Sequence, residues 1–97
     1  MRTQFLIEVF VPRTDALRAN RLALDAEAVT HRMQWEGTPI RFMRSIFVPD
    51  EETCFMLYEA ATPDDVVIAA QRAGIGLERK PVSVVEWHVK DATTPAT

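Results

Sequence analysis

The sequence has little of the residue types that reinforce or anchor small proteins. It has a single cysteine, Cys54, so no disulfide can form within the chain, and its two histidines are few for a metal site. Its apolar runs are a few residues long, whereas a membrane-spanning helix needs about 20. The first five residues lead into a strand-like segment instead of the apolar stretch of a signal peptide. We therefore expect a cytoplasmic protein.

Basic residues are also too few to favour a polyanionic partner. Lys and Arg number 11 against 14 Asp and Glu, and the net charge is −3. Such a chain has no electrostatic attraction to a phosphate backbone or to an anionic lipid surface. We therefore expect neither nucleic acid nor membrane among its partners.

The length and composition are those of one small globular domain. The chain has 97 residues, of which 47% are hydrophobic and 26% charged. A chain of this length buries about 60–65% of its unfolded surface and has one modest core. Residues 90–97 (KDATTPAT) have nothing to bury. We predict a single domain over residues 1–89 and a disordered tail over 90–97.

Alternation and turn signals predict four strands, and helical spacing predicts two helices. The strands are expected over residues 4–11, 40–48, 53–59 and 82–89. The first helix should begin after Thr14 as N-cap and end near Trp35, since residues 14–36 contain neither Gly nor Pro. The second helix should begin at Thr62-Pro63 and end at Gly74. The second and third strands should form a hairpin.

The resulting order, strand, helix, strand, strand, helix, strand, predicts an α+β protein with the ferredoxin-like βαββαβ fold. In this fold both helices cover one face of a four-stranded antiparallel sheet. The other face stays uncovered, and Leu6 and Phe10 of the first strand should lie on it. Because an apolar sheet face of that size usually finds a partner, we expect a homodimer formed through it.

Residues 36–76 resemble a family of small actinobacterial ferredoxin-like proteins. That family was long a domain of unknown function and is now called nickel-responsive, after a nickel-binding member. The most specific stretch is YEAATPDD at residues 58–65, together with Arg72-Ala73-Gly74. The likeness extends to FLIE at residues 5–8 and VVE at 84–86, so it covers about nine tenths of the chain. The resemblance implies the same fold.

The same resemblance argues against carrying nickel over to this chain. The metal-binding branch of the family is rich in histidine on the first and second strands and around the second helix. This sequence has Val9, Arg44 and Ala69 or Ala70 in those neighbourhoods. None of these side chains coordinates a metal, so the resemblance implies no nickel site. We therefore predict no metal ligands and no cofactor.

Three residues are the candidates for ligand binding. Glu8 and Arg44 each interrupt an otherwise apolar strand, and a charged group buried there must be paired, hydrated or neutralised. They could anchor a ligand in an apolar pocket, or they could form an ion pair within the dimer interface. His88 shares one face of the last predicted strand with Glu86, and Glu8 is the expected neighbour of both. We predict a pocket bordered by Glu8, Arg44 and His88.

Two other features are better explained by structure than by chemistry. Glu27 and His31 are four residues apart on the first helix, a spacing that suits a solvated pair on its surface. Cys54 would need a nearby base to act as a nucleophile, and strand periodicity makes it a small core or interface residue.

Three functions remain open from the sequence. The leading hypothesis is a homodimeric binding protein that holds a small ligand or, weakly, a metal, and is not an enzyme. The second is a cofactor-independent enzyme of the dimeric α+β barrel type, an isomerase or monooxygenase, with His88 or Glu8 as the base. The third is an interaction module with no small-molecule site. A deep pocket would favour the first two.

Overall fold

The computed structural model of the protein describes residues 2–87 and has a ferredoxin-like α+β fold, as predicted. Its elements in chain order are β1 (Thr3–Phe10), α1 (Ala16–Trp35), β2 (Ile40–Val48), β3 (Thr53–Ala60), α2 (Pro63–Arg72) and β4 (Val82–Val84). The four strands form one sheet in the order β2-β3-β1-β4, and every neighbouring pair is antiparallel. A single 3-10 turn, Pro49–Glu51, connects the β2–β3 hairpin.

Both helices begin and end at residues that satisfy their free backbone groups. The N-cap of α1 is Asp15, whose side chain accepts a hydrogen bond from the Arg18 amide, so the predicted cap Thr14 was one residue early. Thr62 caps α2 as predicted, with Pro63 in the first turn. Each helix is followed by a glycine at positive φ, Gly37 at 99° and Gly74 at 76°, where other residues would be strained.

The core lies between the sheet and the two helices. Alternate residues of β1 and β3 are buried there, and Ala19, Leu22, Ala26 and Met33 of α1 cover them. The residues of the two central strands that are buried on this side are Phe5, Ile7, Val9, Cys54, Met56, Tyr58 and Ala60. We call this the helix-facing side of the sheet. Its opposite is the open face.

A β-bulge in β2 decides which side chains reach each face. The pairing of β2 with β3 shifts between Phe42 and Arg44, so Met43 is an extra residue in the strand. Phe42 lies opposite Tyr58 on the helix-facing side, whereas Arg44 lies opposite Leu57 on the open face. Strict alternation would have put Phe42 and Arg44 on the same face. The bulge thus moves Arg44 out of the apolar environment that its neighbours in the sequence suggested.

The last strand is shorter than predicted, since β4 spans Val82–Val84 instead of residues 82–89. Val84 pairs with Gln4, and β1 begins one residue before Gln4, so the chain after Val84 runs past the end of its partner strand. His88, Val89 and the predicted tail at 90–97 lie outside the described residues. Within residues 2–87, no helix has both the length and the apolarity needed to cross a membrane.

Candidate functional site on the open sheet face

The open face is apolar at one end. The cross-strand pairs Leu6–Leu57, Glu8–Phe55 and Phe10–Thr53 place one face of β1 beside one face of β3, and Ile46 lies opposite Phe55 on the other side. Phe10 is 60% exposed and Ile46 is 57% exposed, whereas the apolar helix-facing residues of β1 and β3 are buried. The prediction that Leu6 and Phe10 lie away from the helices is therefore correct.

An ion pair crosses the width of this face. The Arg44 Nη2 atom lies 2.7 Å from the Glu86 Oε2 atom. Arg44 is on the edge strand β2 and Glu86 follows the opposite edge strand β4, so the pair spans the two central strands. The Gln4 side-chain amide donates a 3.4 Å hydrogen bond to Glu86 Oε1. Leu57, which faces Arg44 across the strand pair, is buried although no helix covers its side of the sheet.

The other predicted anchor, Glu8, has a different partner. Its Oε2 atom lies 3.5 Å from Arg79 Nη1, on the segment that leads into β4. The pair borders a hollow of about 240 Å³ at the apolar end, with Phe10 and Thr53 on its wall. Three further carboxylates surround the hollow, those of Glu51, Glu52 and Glu78.

The predicted site residues are therefore only partly brought together. Glu8 and Arg44 lie on the same open face, as expected, but within one chain they are not paired with each other. Their side chains are 43% and 48% exposed, so neither is the buried charge that the sequence suggested. The expectation that Glu8 neighbours Glu86 is wrong, because antiparallel pairing of Leu6 with Val82 puts Glu86 at the far end of β1 from Glu8. His88 lies outside the described residues.

Sequence reasoning missed both partners of these residues. Arg79 lies in a segment without regular structure, and periodicity carries no information about such a segment. Glu86 could be placed on a strand face from its spacing, yet nothing local to it indicates that it reaches a side chain on the opposite sheet edge. The only local signal was a charged residue in an otherwise apolar run.

The far end of the open face is polar. Glu59 lies 3.5 Å from Arg2 and 4.0 Å from Arg41, so two guanidinium groups share one carboxylate. These are partly exposed pairs, and each contributes about 0–1 kcal/mol to stability. The open face thus has shared ion pairs at the Glu59 end, whereas at the Phe10 end exposed apolar side chains adjoin a hollow rich in carboxylates.

On the helix-facing side, burial makes the acidic groups harder to ionise. The Cys54 thiol is buried, and desolvation raises its pKa, an effect that a hydrogen bond with the Ser45 side chain partly opposes. Desolvation also raises the pKa of Tyr58, and the neighbouring Cys54 adds to that shift. The Cys54 thiol is therefore protonated at neutral pH and unsuited to act as a nucleophile, as its strand position predicted.

Glu27 and His31 are both exposed on α1, in keeping with a surface pair. They line a hollow of about 290 Å³ at the β2 edge of the sheet, together with Gln34, Arg41 and Phe42. Within residues 2–87 no three His, Cys, Asp or Glu side chains are grouped closely enough to hold a metal ion.

Comparisons with known proteins identify no relative of this chain, so a function has to be argued from the geometry of the open face. No protein-family model, no curated protein and no solved structure matches the chain. The resemblance to the nickel-responsive family accordingly stays a prediction.

Proposed function

We propose that the protein is a homodimeric binding protein in which two copies pack their open sheet faces together and hold a small ligand between them. The observation that carries this proposal is the open face itself, on which exposed Phe10 and Ile46 adjoin half-exposed charged groups. An apolar surface of this kind is costly to leave in water, and a second copy offers a matching surface about a two-fold axis.

The size of the face suits a dimer. The strands lie about 4.8 Å apart and rise about 3.4 Å per residue. Three of them span eight or nine residues and β4 spans three, so the face measures roughly 450 Å² before its protruding side chains are counted. A standard interface buries about 800 Å² per partner. The flat area of the face is therefore smaller than that of a standard interface, so the dimer should be weak and reversible.

The charged groups on this face supply the recognition element for the ligand. The Arg44–Glu86 ion pair crosses a surface that packing would desolvate, and a desolvated ion pair is stable only if its remaining donors and acceptors are satisfied. A small molecule with an apolar body and a polar group would satisfy them. The ligand would then border Glu8 and Arg44, the residues that the sequence singled out.

Light scattering on a matched pair of variants tests the dimer. Phe10→Asp places a charge on the open face at an exposed position and should give an 11.0 kDa particle at concentrations where the native protein is a dimer. Ile68→Asp makes the same change at an exposed position on α2 and should leave the dimer intact. A native protein that stays monomeric over the whole concentration range would contradict the proposal.

Native mass spectrometry of the purified protein tests the ligand. The native dimer should carry a co-purifying small molecule, and Arg44→Gln should lose it, whereas Arg18→Gln, an exposed change on α1 at the other side of the sheet, should retain it. A dimer that is empty in every preparation would leave only the interaction-module function.

Nickel has no part in the proposal. The neighbourhoods where the resembling family has histidines hold Val9, Ala69 and Ala70, which are buried and apolar, and Arg44, which is paired with Glu86. Calorimetric titration of tag-free protein with Ni²⁺ should therefore give no dissociation constant tighter than about 1 μM, which corresponds to about −8 kcal/mol. A tighter stoichiometric site would contradict this expectation, and His88→Ala would show whether the last residues supply it.

A further inference from the structure

The outer side of α1 carries a second stripe, with four apolar members and two polar ones, that points away from the core. Its members recur at alternating steps of four and three residues, and we call them the outer stripe: Leu17, Arg21, Leu24, Ala28, His31 and Trp35. All six are exposed. Trp35 is 88% exposed and Leu24 is 58% exposed, which is unusual for a tryptophan and a leucine on one helix. This alternating spacing is the one with which two helices pack side by side.

The second half of the stripe has the shape of a contact site. Trp35 projects at its end, and beside it lies a shallow hollow of about 640 Å³ that is lined by Ala28, His31, Arg32 and Glu36. A large projecting side chain next to a small residue is the arrangement that lets two helices interdigitate.

We infer that the outer stripe binds the outer stripe of a second copy in an antiparallel pair, with the two-fold axis between residues 29 and 30. In this register Leu24 of each copy faces the second copy's Trp35, and Ala28 faces the second copy's His31. Trp35, the most exposed large apolar side chain of the helix, thereby packs against an apolar residue of the second copy.

The charges beside the stripe favour this register. Asp25 and Arg32 flank it on the same side, so Asp25 of each copy lies beside Arg32 of the other, and two ion pairs form around the axis. If the two-fold axis passed through the middle of the helix, the Asp25 carboxylates of the two copies would lie side by side and repel each other. If the two-fold axis passed through the first half of α1, Trp35 would have no residue of the second copy opposite it.

This contact is separate from the proposed open-face dimer, because α1 lies on the other side of the sheet. From Leu24 to Glu36 the helix runs only about 18 Å. The contact is therefore smaller than a standard interface and should be weak by itself. Together with the open-face dimer it would join dimers into a higher assembly.

Tryptophan fluorescence gives a direct readout of the contact. The chain has two tryptophans, so a Trp87→Phe background leaves Trp35 as the sole emitter. The emission of Trp35 should shift to shorter wavelength as protein concentration rises. Packing of the open faces would not cover Trp35, so adding Phe10→Asp should leave the shift in place even if the open-face dimer is lost.

A charge exchange tests the register. Asp25→Arg and Arg32→Asp should each raise the concentration of half-association at least about tenfold, because two attractive pairs become repulsive. Mixing the two variants should restore association, since one variant then has a guanidinium group at both positions and the other has a carboxylate at both. Leu17→Ala, an exposed change in the same stripe but outside this register, should have little effect.

Two results would overturn the inference. A Trp35 emission that does not change with concentration would exclude a second copy as the occupant and leave the stripe to a helix of a different protein. Association that does not recover when the two charge variants are mixed would exclude the antiparallel register.

Discussion

The two faces of the sheet are built from the same strands but hold their side chains by different means. On β3, Met56 is fully buried beneath the helices, whereas the adjacent Phe55 lies on the open face and stays partly exposed. The helix-facing side is apolar apart from a few hydroxyls and one thiol. The open face combines apolar residues with ion pairs, and its charged groups remain in contact with water.

The difference shows which face carries the stability of a single chain and which is available for binding. A residue on the helix-facing side contributes through burial within its own chain. A residue on the open face contributes fully only when another molecule covers it. Substitutions that separate these two contributions therefore test the assignment of each face.

The largest effect is expected from truncating the two adjacent residues of β3. Met56→Ala should reduce the free energy of unfolding by about 2–5 kcal/mol, because it leaves a cavity under the helices. Phe55→Ala should cost clearly less in the monomeric Phe10→Asp background. Urea denaturation of both variants in that background measures the difference. Equal losses would mean that the open face is as much a part of the single-chain core as the other side.

The next effect is a loss of stability in alkali that arises on the helix-facing side. Burial raises the pKa of Cys54 above the ordinary thiol value of 9.0, so the folded protein holds this proton more tightly than the unfolded chain does. The contribution of this group to stability is then constant below about pH 9 and falls as pH rises beyond it, by at most about 1.4 kcal/mol per pH unit.

Urea denaturation between pH 7 and pH 11 measures this slope. Cys54→Ala should flatten it between pH 9 and pH 10, although the variant is less stable overall. Tyr58, whose pKa burial also raises, should add to the slope above its ordinary value of 10.0. A native protein whose stability rises with pH in this range would contradict the burial of both groups.

A smaller gain in stability is expected from Tyr58→Phe. The ring is completely buried and packs edge-on against Phe42 at 5.4 Å, but the hydroxyl has no hydrogen-bond partner among the residues that the structure describes. An unsatisfied buried hydroxyl is destabilising, so its removal should raise the free energy of unfolding by about 1 kcal/mol.

Thr30→Val is the matched control for that change. Thr30 is also buried, but its hydroxyl donates a 3.2 Å hydrogen bond to the Glu27 carbonyl. Thr30→Val should therefore lower stability or leave it unchanged. A loss of stability in Tyr58→Phe comparable to that in Thr30→Val would show that the tyrosine hydroxyl is satisfied after all.

The smallest effect is expected from the ion pairs of the open face. A double-mutant cycle of Arg44→Met and Glu86→Gln in the monomeric background should give a coupling energy of about 0.5–1 kcal/mol, because both groups are partly solvated. The cycle of Arg44→Met with Glu8→Gln should give zero within about 0.5 kcal/mol.

The double-mutant cycle of Arg44→Met with Glu8→Gln should also be measured on the dimer, where the open faces are covered. A coupling that appears only in the dimer would mean that Glu8 of one copy pairs with Arg44 of the other, which is the interface pairing that the sequence suggested. Coupling of Glu8 with Arg44 in the monomer would contradict the partners that the structure gives them.

Much of the fold could be predicted because its signals are local. The bounds of β2 match the prediction, and the Thr62-Pro63 start of α2 and the glycine after each helix lie where expected. Capping residues, turn residues and apolar periodicity act over a few positions, so a single sequence displays them. The placement of Leu6 and Phe10 on the open face followed from alternation alone.

The candidate site was only partly predictable because its contacts are not local. The sequence by itself determined the order of elements, the residues of the core stripe on α1 and the uncovered sheet face, all of which follow from spacing. Only the tertiary structure decided that the bulge at Met43 turns Arg44 outward, and that Arg44 meets Glu86 while Glu8 meets Arg79. A bulge inverts the alternation of every later residue in its strand, and an ion pair between opposite sheet edges depends on how all four strands align.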